Sequence, residues 1–129
     1  MPTDSPRTGL AQSLLQEIAR ALTTLAETGE TAAIDLRSLP LTDGDRADLA
    51  EALGRGEVVA TVEAAGPTDL HETAFPGIWW ICHRNADGRI AAETIEVTPC
   101  PDILAAHPDD IRAAAARLAT AQTKETAHV

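Results

Sequence analysis

The sequence predicts an α+β domain, a mostly antiparallel sheet of about four or five strands with about three helices packed on it. Three observations carry that reading. Apolar residues recur at helical spacing in two N-terminal stretches and one C-terminal stretch. Between them, from Glu57 to Val97, β-branched and alternating runs are separated by Gly, Pro, Asn and Asp. The chain has 129 residues, the size of one ordinary domain, so a single core is expected.

Residues 1–8 are rich in Pro, Thr, Ser and Asp and read as a flexible tail. Leu10, Leu14, Ile18, Leu22 and Leu25 then share one helical face, with Gly29 as the stop. Ala33 to Arg37 alternates apolar and polar, a short strand that Pro40 ends. Thr42 is placed to cap a second helix, with Asp43 and Asp45 in the first turn, where the helix dipole favours negative charge. Ala47, Leu49, Ala50 and Leu53 form its apolar side, and Gly54 and Gly56 close it. Val58 to Val62 is a β-branched run, followed by a Gly66-Pro67 turn and strands at 69–74, 78–84 and 89–97. Asn85-Ala86-Asp87-Gly88 is a hairpin turn, because Asn, Asp and Gly tolerate positive φ. Short turns between successive strands imply an antiparallel meander. His107-Pro108-Asp109-Asp110 opens the last helix, whose apolar side is Ile111, Ala114, Ala115 and Leu118. The single domain is expected over residues 9–123, with 124–129 as a second tail.

The formal net charge is −10. An acidic surface repels phosphate backbones and anionic lipid, so neither nucleic acid nor a bare membrane is an expected partner. A basic or mixed protein surface is. No segment approaches the ~20 apolar residues that span a bilayer, and the N-terminus has no apolar signal core, so a cytoplasmic location is expected.

Catalytic and metal chemistry find little support. Cys82 and His83 are neighbours on a predicted strand and point to opposite faces. No Cys-x-x-Cys or His-x-x-x-His pair joins them with His71, Cys100 or His107 to seed a zinc shell. Cys82 reads as a small core residue, and a Cys82–Cys100 bridge stays open. Ser5, Ser13 and Ser38 lie outside any nucleophile elbow. Gly54-Arg55-Gly56 is a helix stop and not a phosphate loop. Glu57, Glu63, Asp69, Glu72, Glu93 and Glu96 read as carboxylates on a solvated sheet face. No metal, no cofactor and no catalytic residue is expected.

The most distinctive segment runs from Glu72 to Trp80 and holds every aromatic in the chain, Phe75, Trp79 and Trp80. Pro76-Gly77 makes a tight corner that Phe75 can anchor. Trp79 and Trp80 must face opposite sides of the following strand. One can enter the core, and the other is a candidate hot spot for protein contact.

Four stretches, in order, carry a resemblance: Ile34-Asp-Leu-Arg-Ser-Leu-Pro-Leu-Thr42, Leu53-Gly-Arg-Gly-Glu-Val58, Glu72-Thr-Ala-Phe-Pro-Gly-Ile-Trp79 and Thr94-Ile-Glu-Val97. Together they resemble the C-terminal domain of the HupH/HyaF family of hydrogenase expression proteins. The resemblance implies a non-catalytic, chaperone-like role in [NiFe] hydrogenase maturation. The implied partner is a hydrogenase subunit precursor or another maturation protein. The motif candidates are Glu57, Glu72, Thr73, Phe75, Pro76, Gly77 and Trp79, with Trp80 beside them. A homodimer through a sheet edge or the Trp face would conceal apolar surface. The alternatives are a small acid–base enzyme using Glu72 or Glu57 in a shared pocket, a metal or redox carrier using Cys82 and Cys100, and a generic protein-interaction domain.

Overall fold

The computed structural model describes residues 5–63 and 65–127; the expected tail positions 1–4 and 128–129 lie outside the described residues. The elements are α1 (Leu10–Thr28), β1 (Ala32–Asp35), α2 (Asp43–Leu53), β2 (Val59–Glu63), β3 (Pro67–Glu72), β4 (Ile78–Arg84), β5 (Ile90–Val97) and α3 (Pro108–Ala127). Short 3₁₀ turns occupy Leu36–Ser38 and Asp102–Leu104. The five strands form one sheet in the order β1-β5-β4-β3-β2, and every neighbouring pair is antiparallel. The fold is α+β: a four-strand meander with β1 added beside β5.

Local chemistry explains the boundaries. The Thr42 hydroxyl accepts from the Asp45 N–H at 3.0 Å, and the Asp45 carboxylate accepts from the Thr42 N–H at 3.2 Å. This reciprocal cap satisfies two donors that a helix start leaves open. Asp45 also accepts from the Thr8 hydroxyl at 2.6 Å and the Thr8 N–H at 2.8 Å. The Gly44 N–H donates to Ser5 Oγ, and Arg7 pairs with Asp48. Residues 5–8 are therefore bonded to the start of α2. The Thr8 hydroxyl and N–H, with Thr42 behind them, hold the Asp45 carboxyl down at about 2. At the β4–β5 turn, Gly88 adopts φ 87° and its N–H closes onto the Asn85 carbonyl at 2.9 Å.

Strand alternation sorts the core into two layers. Ile78, Ile95 and Val97 face α1 and α2, packing with Ala11, Leu14, Ile18, Leu49 and Leu53. Leu70, Trp79 and Ile81 face the other way, where Ala60, Val62 and Leu104 join them. Leu104, from the segment after β5, thus packs on the face opposite the helices. α3 then departs from the sheet, and its described side chains are exposed from Pro108 to Lys124. The apolar side expected to pack inward faces solvent instead, with Ile111 55% and Leu118 65% exposed. Neither core layer includes a residue of α3.

Among the described residues no helix is long and apolar enough to cross a membrane.

Candidate functional site

The β3–β4 connection, Thr73 to Gly77, is built as a rigid loop. Thr73 is buried, and its hydroxyl accepts from the Phe75 N–H at 3.1 Å and donates to the Phe75 carbonyl at 3.2 Å. The Thr73 N–H donates to Ile78 O, and the Ile78 N–H returns to Phe75 O. Gly77 takes φ 95°, where a side chain would be strained, and its N–H donates to Glu72 Oε2 at 3.3 Å.

Three further bonds tie this loop to distant segments. The Ala74 N–H donates to Leu53 O at the end of α2, the Gly56 N–H to Glu72 O, and the Thr98 N–H to Gly77 O. Gly56 explains the Gly-x-Gly stretch. A Cβ there would lie 2.5 Å from the Thr73 carbonyl oxygen, so only glycine permits the approach. The two most distinctive motifs of the sequence are thus one physical unit.

This unit holds Phe75 48% exposed. Beside it is an apolar hollow of about 330 Å³, lined chiefly by Leu15, Ile18, Leu22, Leu53, Phe75 and Ile78. One wall is the face of α1 and the other is the loop. Among the described residues no charged side chain lines it. A shape of this kind accepts an apolar side chain or the apolar stripe of a peptide.

The remaining candidates disperse. Trp79 is 5% exposed in the opposite core layer, and its indole N–H donates to Thr98 O at 3.1 Å. Trp80 is half-buried. Its N–H donates to Glu93 Oε2 at 2.8 Å, and its ring stacks on His71 with centroids 6.4 Å apart. Pro76 and Glu57 are exposed, while half-buried Glu72 is turned onto its own loop. Glu57 and Glu72 line neither this hollow nor the second one described next.

A second, polar hollow of about 350 Å³ lies on the helix-bearing side of the sheet, lined by Arg55, Asp69, His71, Trp80, Cys82 and Glu93 among others. Burial, with Arg55 nearby, lowers the His71 pKa. Glu93 corrects the solvated-face expectation: it is 6% exposed, ion-paired with Arg46 of α2 and bonded to Trp80. Cys82 is likewise not a core residue but half-buried in the wall of this hollow. Cys82 and Cys100 are both free thiols, so the open bridge is not formed. Sequence reasoning missed the Arg46–Glu93 pair because its partners are far apart in the chain. It also missed Leu15, which widens the apolar stripe of α1 beside Leu14.

The family described as HupH hydrogenase expression protein, C-terminal conserved region, matches residues 10–124. The chain is 38% identical over 86 residues to the hydrogenase expression/formation protein HoxQ of Azotobacter vinelandii, covering 67% of this chain and 30% of that protein. HoxQ of Cupriavidus necator is 29% identical over 108 residues, covering 84% of this chain and 38% of the relative. The chain therefore spans about a third of the length of these curated relatives. The solved structure of the hydrogenase expression protein HupH from Thiobacillus denitrificans superimposes with a TM-score of 0.87 at 46% identity, covering 92% of this chain and 99% of that one. The apolar loop-and-helix site thus sits within the matched region, and the chain belongs to the HupH hydrogenase expression protein family through its C-terminal conserved region.

Proposed function

We propose that this chain is a non-catalytic, cytoplasmic accessory protein of [NiFe] hydrogenase maturation, and that it binds an apolar segment of a hydrogenase subunit precursor in the groove between α1 and the Phe75 loop. The observation that carries the reading is Phe75 itself. The only phenylalanine in the chain is held half-exposed by a braced loop, next to an apolar hollow. Preorganised aromatic rings beside an apolar groove are what protein contacts use as anchors. The hydrogenase connection comes from the family, whose relatives are named hydrogenase expression/formation proteins. The acid–base alternative lacks a constellation, since Glu57 is exposed and Glu72 is spent on the loop backbone.

The test is affinity purification from hydrogenase-expressing cells with the wild-type chain and with Phe75→Ser as baits. Wild type recovers a hydrogenase subunit precursor, and Phe75→Ser loses it. Recovery of another maturation factor in its place transfers the groove to that partner. Recovery of neither overturns the reading.

A further inference from the structure

We propose that α3 is a self-association surface, on which two copies of this chain pair their α3 helices antiparallel about a two-fold axis near Ala116. Helices in proteins draw most of their stability from packing an amphipathic face. α3 has such a face uncovered. Ile111, Ala114, Leu118 and Ala121 follow one another at intervals of three and four, the a and d positions of a heptad seam. Ile111 and Leu118 are more than half exposed.

Three features select a second copy as the occupant. The seam is self-complementary. In the antiparallel register Ile111 lies opposite Ala121 of the second copy, and Leu118 opposite Ala114. Each large side chain meets a small one, which lets the helix axes approach to the close end of the usual range, about 8 Å. The charges are polarised along the helix. Asp110 and Lys124 lie on the same flank of the seam, at opposite ends. Antiparallel pairing sets each Asp110 against Lys124 of the second copy, whereas parallel pairing would bring the two acidic starts together. Asp109 is already held by Arg112 on its own helix, which leaves Asp110 for the cross-pair. Arg117 meets its counterpart near the axis, on a flank open to water, so two favourable pairs oppose one unfavourable one. Finally, the helix is charge-balanced within an acidic chain. Over Pro108–Ala127 the acids Asp109, Asp110 and Glu125 are matched by Arg112, Arg117 and Lys124, while the chain as a whole carries −10. α3 is where copies of this chain can meet without the repulsion of their acidic surfaces.

Two helices of this length bury less than a standard interface of about 1,600 Å², so the association is concentration-dependent. Sedimentation of the full chain over a concentration series is the test. The mass is expected to rise from 13.6 kDa toward twice that value. Leu118→Lys weakens the association by about tenfold or more. Far-UV circular dichroism and Trp79/Trp80 fluorescence confirm that this variant keeps its core, which α3 does not join. Asp110→Lys also weakens association, and adding Lys124→Asp restores it. A monomer mass at every concentration overturns the proposal. So does a dimer indifferent to Leu118→Lys, or a double charge reversal that regains nothing, since α3 would then pair in another way. The groove beside Phe75 is not part of this surface, so either reading can fail alone.

Discussion

Phe75→Ala separates a docking residue from a core residue by magnitude. Complete burial of a phenylalanine side chain relative to full exposure is worth about 1.5–3 kcal/mol. Phe75 is 48% exposed in the free chain, so its packing against the α1 face accounts for about half of that. The variant is therefore expected to lose about 1 kcal/mol of unfolding free energy, read from urea denaturation followed by tryptophan fluorescence. A wholly buried phenylalanine would cost about 3–5 kcal/mol. The other half of the ring is available to a partner. Covering it contributes about another 0.7–1.4 kcal/mol of binding, which corresponds to a rise of about three- to tenfold in Kd when the ring is removed, measured by calorimetry with the hydrogenase subunit precursor. Ile18→Ala supplies the contrasting control: at 1% exposure it should lose about 2–5 kcal/mol of stability. If Phe75→Ala loses as much stability as Ile18→Ala and leaves Kd unchanged, the ring is a structural wedge and the docking argument is wrong.

Three further outcomes are expected. Gly56→Ala forces a Cβ against the Thr73 carbonyl and should cost about 1–3 kcal/mol in the same denaturation assay; an unchanged midpoint would show that the approach is not tight. Arg46→Ala strands the buried Glu93 carboxylate and should cost about 2–3 kcal/mol, below the full penalty for a wholly buried pair because the Arg46 side chain keeps 27% exposure; Arg46→Met with Glu93→Leu should recover part of it, since the Trp80 N–H then loses its acceptor, and a double variant as unstable as the single would refute this. Asp45 has its pKa depressed from 3.8 to about 2, so its contribution to stability is complete above about pH 4 and is lost as pH falls toward 2. Asp45→Asn should therefore flatten the loss of stability over that window, and an acid-unfolding slope identical to wild type would assign the effect elsewhere.

Much of the fold was legible because its signals are local. The Thr42 cap, the Asn85–Gly88 turn and the leucine stripe of α1 each depend on residues within a few positions of one another, and the structure contains all three. Opposite facing of Trp79 and Trp80 follows from the period of a strand alone. The motif residues Thr73, Phe75 and Gly77 were visible for the same reason, since their bonds close within five positions. What the chain could not display by itself was which groups meet across distance. Only the tertiary structure brought Gly56 against the Thr73 carbonyl, paired Arg46 with Glu93 and set Leu15 beside Phe75. It also decided which apolar faces stay open. Periodicity marks the apolar sides of α1 and α3 alike. Burial depends on tertiary packing: Leu104 joins the second core layer and Thr98 O accepts from the Trp79 indole N–H, while the described side chains of α3 stay exposed.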